Sequence, residues 1–125
     1  MPNHILIVDD TPIILEQLTT MITQLGHTPI VAENGQKALD QLDIYPDVAL
    51  IILDYQMPYM DGVEFLSVKS TKKALANIPV CMYSRISSSH PALQHAYTAG
   101  YISCFLPKPT GFDALKEVVN RYTWA

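Results

Sequence analysis

Three acids, a hydroxyl and an ammonium stand where apolar runs of this chain end. Ile5-Leu6-Ile7-Val8 stops at Asp9-Asp10, Val48 through Leu53 stops at Asp54, Val80-Cys81-Met82-Tyr83 runs into Ser84, and Cys104-Phe105-Leu106-Pro107 runs into Lys108. If these runs are strands of one open α/β sheet, their carboxyl ends share the edge where such sheets bind ligands. Carboxylates about 5 Å apart at an effective dielectric near 20 repel by roughly 3 kcal/mol per pair, a large share of the roughly 5–15 kcal/mol that holds a domain together. A cation is therefore needed. All-oxygen ligands with room for water suit Mg2+; zinc would want His or Cys, and His4, His27, His90 and His95 offer no suitable pair. A carboxylate beside Mg2+, with a lysine and a hydroxyl aimed at the same point, can accept a phosphoryl group, because that transfer needs mostly positioning and charge neutralisation. Asp54 is the better acceptor candidate, since it ends the middle run. Helix capping is the bland alternative for the acids; it suits Asp61 but accounts for neither Ser84 nor Lys108.

The rest of the chain supplies elements to position these groups. Residues 4–9 are an apolar run that reads as a strand buried on both faces. Thr11 is placed to cap a helix and Pro12 to begin it, with Ile14, Leu18, Met21, Ile22 and Leu25 at helical spacing until Gly26. Thr28–Ala32 reads as a second strand, and Asn34-Gly35 opens a helix with Ala38, Leu39 and Leu42 on one face. A third strand over 48–54 precedes a helix bearing Val63, Leu66 and Val68; a fourth over 78–84 precedes one bearing Leu93, Ala96 and Tyr97 that stops at Gly100. Ser87-Ser88-Ser89 reads as a solvated loop and cap. A fifth strand over 101–106 is followed by a helix lined by Phe112, Leu115, Val118, Val119 and Tyr122. This alternation predicts the α/β class, a three-layer α/β/α sandwich around a five-stranded parallel sheet. Strand order is not fixed by the pattern itself. The flavodoxin-like, doubly wound order 2-1-3-4-5 would bring Asp9, Asp10 and Asp54 together and would leave Pro107 on an edge strand, where a missing N–H is tolerated.

With 125 residues, 49% of them hydrophobic, one domain over 1–125 is expected. A net charge of -4 argues against nucleic acid or a membrane surface as a direct partner. No apolar run approaches the roughly 20 residues of a membrane span, and Met1-Pro2-Asn3-His4 lacks the regions of a secretory signal, so the cytoplasm is the expected location. Cys81 and Cys104 lie in strand-like runs without CxxC spacing and read as reduced core thiols.

Val8-Asp9-Asp10, Leu53-Asp54, Met57-Pro58-Tyr59-Met60-Asp61-Gly62, Ser84, Ala99-Gly100 and Lys108-Pro109 resemble, in order and interval, the receiver domain of two-component response regulators, chemotaxis-regulator-like, over nearly the whole chain. The resemblance implies that Asp54 takes a phosphoryl group from a histidine kinase or histidine phosphotransfer protein. It implies that Asp10 and Asp54 bind Mg2+ directly, with Asp9 acting largely through water and the backbone carbonyl of Gln56 completing the shell. Ser84 and Lys108 would hold the phosphoryl group, a cis peptide at Pro109 would aim Lys108 inward, and Phe105 would be a switch aromatic. An output protein would dock on the face of the fourth helix, fifth strand and fifth helix, with the chain a monomer or a phosphorylation-linked dimer. Such a module catalyses only its own phosphorylation and dephosphorylation and is not an enzyme acting on a metabolite.

Some positions depart from the family's pattern. Arg85 follows Ser84 where a small residue is usual, which makes it a possible phosphosite gate that pairs with the phosphoryl group or shields it from water; a solvated surface charge is the other reading. Phe105 lacks a hydroxyl, and plain core packing is its alternative role. Thr110 replaces a bulky apolar residue, whose space Phe112 is placed to fill. Two further functions compete: a degenerate receiver serving as a constitutive protein-interaction module, and a haloacid-dehalogenase-like phosphatase. The latter needs Asp-x-Asp after its first strand, whereas here adjacent acids are followed by Thr11.

Overall fold

Apolar runs become strands and helical patterns become helices in strict alternation: β1 (His4–Val8), α1 (Pro12–Gln24), β2 (Thr28–Ala32), α2 (Gly35–Ile44), β3 (Leu50–Leu53), α3 (Gly62–Thr71), β4 (Val80–Ser84), α4 (Pro91–Thr98), β5 (Cys104–Pro107) and α5 (Phe112–Tyr122). The structure, a computed structural model, describes residues 3–123, so Met1, Pro2, Trp124 and Ala125 of the expected 1–125 domain lie outside the described residues. All pairings are parallel and the sheet order is β2-β1-β3-β4-β5, as the doubly wound arrangement requires. No helix among the described residues is long and apolar enough to cross a membrane.

Side chains alternate across the sheet and so build two cores. Leu6, Val8, Ile51, Leu53 and Met82 face α2, α3 and α4, while Ile5, Ile7, Leu50, Ile52, Cys81 and Tyr83 face α1 and α5. The aliphatic residues of β1 and β3 are essentially fully buried, each contributing roughly 1.5–3 kcal/mol. Two strands anchored this firmly can hold mutually repelling acids at their ends.

Register sets those ends level. Val8 pairs with Leu53 on one side and Ala32 on the other. The ladder continues one step further: the Asp9 N–H donates to the Ala32 carbonyl at 3.1 Å and the Asp54 N–H to the Val8 carbonyl at 2.9 Å. Gly26 and Gly100 close α1 and α4 with φ of 87° and 84°, the left-handed conformation in which a missing Cβ matters.

Several local expectations are corrected. Thr11 occupies the cap position of α1 but its side chain makes no cap hydrogen bond. At α4 the cap is His90, whose Nδ1 accepts from the Ala92 N–H at 3.2 Å, rather than the preceding serines. Tyr97 is 48% exposed, so it points away from the core face shared by Leu93 and Ala96. The inner side of α3 carries Phe65, Leu66 and Lys69, with Val63 and Val68 only half-buried. Phe112 is half-buried beside Ile13 and Gln17 and does not enter the core. The strands β3, β4 and β5 begin two or three residues later than periodicity suggests, at ends where ladders fray.

Candidate functional site

Asp9 and Asp54 each sit one residue past a central strand, both buried, while Asp10 is exposed. One carboxylate oxygen from each of the three lies within 4.8 Å of the others. Asp9 is tied from two sides: its Oδ1 accepts from the Thr11 N–H at 2.9 Å and its Oδ2 from Lys108 Nζ at 2.6 Å. Asp9 thus does part of the work expected of Thr11, holding the turn from β1 into α1.

Lys108 starts from beyond β5, yet its ammonium reaches between Asp9 and Asp54, standing 3.4 Å from Asp54 Oδ1. The route is built from backbone. The Lys108 N–H donates to the Ser84 carbonyl at 3.1 Å, and the Lys108–Pro109 peptide is cis, as expected. Tyr83 supports the same turn. Its buried hydroxyl accepts from the Thr110 N–H at 3.1 Å, and Lys108 Nζ lies 5.3 Å from its ring centroid, a cation–π arrangement. Tyr83 was not singled out in the sequence; the available signal was a tyrosine in an otherwise buried strand, since a buried hydroxyl needs a partner.

Burial pushes the Asp54 carboxyl up to about 6; the Asp9 charge adds to the rise, and Lys108 opposes it. One ammonium therefore does not neutralise the cluster. Three carboxylates face one lysine, and among the described residues the Asp10 carboxylate has no hydrogen-bond or ion-pair partner. That donor set, all oxygen with surplus negative charge and one ligand open to water, fits a hard divalent cation such as Mg2+.

Ser84 is buried at the end of β4, and its Oγ accepts from the Ile86 N–H at 3.0 Å, which leaves the O–H free to donate. A cavity of about 290 Å³ lies beside it, lined by Met82, Arg85, Ile86, Phe105 and Lys108 among others. Arg85 is exposed at its rim. Phe105 is half-buried and packs against the core, its ring tilted 40° against Tyr97 with centroids 5.5 Å apart.

The loop from β3 to α3 carries Gln56, whose side chain is exposed. It folds back tightly: the Gly62 N–H donates to the Tyr55 carbonyl at 2.8 Å, and the Met60 N–H donates to the Pro58 carbonyl across Tyr59, which has φ of 68°. Asp61 caps α3 by accepting from the Glu64 N–H at 2.9 Å. The structure thus brings together Asp9, Asp10, Asp54 and Lys108, with Ser84 beside the same edge, and leaves Phe105 against α4.

Over residues 5–120 the sequence matches the family profile described as the response regulator receiver domain. It is 30% identical over 114 residues to a chemotaxis protein CheY homolog of Campylobacter jejuni, covering 90% of this chain and 86% of that protein. It is 32% identical over 119 residues to the transcriptional regulatory protein GlrR of Escherichia coli, covering 95% of this chain and 26% of that protein. The chain therefore spans about a quarter of the length of that regulator. Among solved structures, the N-terminal domain of a response regulator receiver protein from Methanoculleus marisnigri superposes with a TM-score of 0.76 at 34% identity, covering 98% of this chain and 97% of that one. The receiver domain of sensor histidine kinase PA1611 from Pseudomonas aeruginosa, described with a magnesium ion coordinated in its active site cleft, superposes at 0.85 with 19% identity, covering 98% of each chain. At that identity the likeness is one of fold.

Proposed function

This chain belongs to the response regulator receiver domain family of two-component signalling, and from that membership and the geometry of its acidic edge we propose that it is a phosphoacceptor switch. Asp54 takes a phosphoryl group from a phosphohistidine on a histidine kinase or histidine phosphotransfer protein. The observation that carries this reading is the convergence of Asp54 with Asp9, Asp10 and the Lys108 ammonium.

In the transfer, a carboxylate oxygen of Asp54 attacks phosphorus as the P–N bond to the donor imidazole breaks. No base is needed, because the nucleophile is already an anion. Asp10 and Asp54 would hold Mg2+, with Asp9 acting through water and the Gln56 carbonyl completing the set; when bound, the ion would offset negative charge on the phosphoryl oxygens. Lys108 brings its ammonium to the same oxygens, and Ser84 donates its free O–H. Movement of Ser84 toward the phosphoryl group would open the cavity beside it to the Phe105 ring. That change would reshape the surface where Phe105 meets Tyr97, the face expected to dock an output protein. The domain catalyses the formation and loss of its own acyl phosphate, turns over no metabolite, and on this reading acts in the cytoplasm. Family membership removes the haloacid-dehalogenase-like reading, and a degenerate binding module would not require the assembled acid and lysine pocket.

The direct test is incubation with Mg2+ and a small acyl phosphate or phosphoramidate. A labile mass gain of one phosphoryl group is expected in the wild type and none in Asp54→Asn. Inertness toward these donors and toward phosphohistidine proteins, or an unchanged gain in the variant, would overturn the assignment.

A further inference from the structure

Away from the acidic edge, Cys81 and Cys104 are register partners on the neighbouring parallel strands β4 and β5. Both side chains turn to the α1 and α5 side of the sheet, Cys81 fully buried and Cys104 half-buried against the same core. Neighbouring strands lie about 4.8 Å apart, inside the roughly 4.4–6.8 Å of Cα separation that a disulfide spans, and register partners point their side chains the same way. Read from sequence as reduced core thiols, the two are made neighbours by the fold, and one is left within reach of solvent.

Their environments differ. The adjacent Cys81 thiol is the largest influence on Cys104; together with the Tyr122 hydroxyl and the Arg121 charge it outweighs burial and lowers that thiol from its ordinary value. The same contact, followed by burial, raises Cys81. Cys104 is half-buried and Cys81 fully buried, and thiol reactivity follows access as well as thiolate character, so Cys104 is the group that meets an oxidant and Cys81 the group that resolves it.

We propose that Cys104 is a modification site for hydroperoxides and that Cys81 captures the product as an intramolecular Cys81–Cys104 disulfide. The Cys104 thiolate attacks the outer peroxide oxygen; an S–O bond forms, the O–O bond breaks and hydroxide or alkoxide leaves, giving a sulfenic acid. Cys81 sulfur then attacks Cys104 sulfur; the S–S bond forms, the S–O bond breaks, and the departing hydroxide takes the Cys81 proton as water. Two thiols are oxidised by two electrons in total and one peroxide is reduced. The crosslink would tie β4 to β5 just ahead of Ser84 on one strand and Phe105 on the other, on the sheet face opposite the cavity beside them.

The test exposes the reduced full-length chain to hydrogen peroxide at pH 7, alkylates remaining thiols in denaturant and maps peptides without reduction. The expected result is loss of two hydrogens, a Cys81–Cys104 linked peptide and full reversal by dithiothreitol. In Cys81→Ala a sulfenic acid should accumulate on Cys104 and be trapped by dimedone, while in Cys104→Ala, Cys81 should oxidise at least tenfold more slowly. A wild type whose two thiols stay alkylatable, whose Cys104 proceeds to sulfinic acid without a crosslink, or whose disulfides form only between chains would overturn the proposal. That decision rests on the wild type alone, so a variant that fails to fold cannot obscure it.

Discussion

Asp54 carries the central conflict of the site: under the proposed function it would have to be ionised to attack phosphorus, yet burial, then the charge of Asp9, pushes its carboxyl up to about 6 from 3.8. A native carboxyl with a raised value binds its proton more tightly than the unfolded chain does, so this stabilisation is present below 3.8 and is lost as pH rises through about 6. Asp54→Asn removes the charge, keeps the shape and leaves Lys108 its 2.6 Å pairing with Asp9. Metal-free Asp54→Asn should therefore be more stable than wild type at pH 7.5, by on the order of 1 kcal/mol once screening by the water that reaches the group is allowed for, with the gap closing toward pH 4. Thermal melts at the two pH values check this, and an equal gap at both would contradict it. Arg85 sits at the rim of the cavity beside Ser84, and under the proposed function its guanidinium would pair with the phosphoryl group. Arg85→Ala should shorten the lifetime of the phosphorylated protein several-fold, about what a contact of roughly 1 kcal/mol is worth; unchanged decay of the labelled band would leave the guanidinium a solvated charge. The types and order of Asp9, Asp10, Asp54, Ser84 and Lys108 were legible because strand-end chemistry is local. Tyr83's hydrogen bond to Thr110 was not, because nothing in β4 names a partner in the loop beyond β5.

Between residue and molecule, the connection from β3 into α3 is where backbone packing limits the chemistry. A Cβ on Gly62 would lie 2.6 Å from the Asp54 carbonyl oxygen and 3.0 Å from Tyr55 Cα. Both neighbours are backbone and cannot rotate away, so Gly62→Ala must push the start of α3 off the end of β3. A loss of about 1–3 kcal/mol in urea unfolding is expected, together with at least tenfold slower acyl-phosphate labelling of the protein that remains folded; wild-type labelling in a folded variant would show that the loop absorbs the clash. Further along α3, Lys69 is 4% exposed and its Nζ donates to the Ala76 carbonyl at 3.1 Å. Burial lowers its value, so the folded state is penalised while Lys69 is charged and recovers stability as pH rises toward the unfolded value of 10.5. Lys69→Met should add roughly 1 kcal/mol at pH 7, and that advantage should narrow in urea titrations near pH 10. Periodicity located α3 but not its inner face, because hydrophobic patterning assigns a lysine to solvent and only the distant Ala76 carbonyl gives this one an interior place. His90 was missed as a cap for a related reason: its side chain does a serine's work through a ring nitrogen.

For the molecule as a whole, strand alternation implied a parallel sheet, but strand order depends on crossovers that no local pattern encodes; a known doubly wound topology, not periodicity, supplied it. The two edge strands carry prolines, Pro29 in β2 and Pro107 in β5; Pro29 faces outward and deprives the β2 edge of a donor for pairing with another chain, whereas Pro107 faces β4, where the Lys108 N–H takes the Ser84 carbonyl in its place. At the centre, the acids come from β1 and β3, register partners that each belong to both cores. An ion held by Asp10 and Asp54 would therefore bind only the assembled sheet and would stabilise the fold as one unit. At about 100 times its dissociation constant this is worth about 2.7 kcal/mol, a rise of several degrees in Tm for a domain of this size. Below about 6, Asp54 must release a proton before the ion binds, so affinity should fall by up to about tenfold per pH unit. The rise in Tm caused by Mg2+ should be clear at pH 7.5, small at pH 5, and reduced at both by Asp54→Asn. Sulfate-free melts with Mg2+, set against melts with potassium at matched ionic strength, separate this from general screening. A rise that is equal at both pH values and indifferent to Asp54→Asn would place the ion elsewhere on the surface and break the link between the acidic edge and metal-assisted transfer.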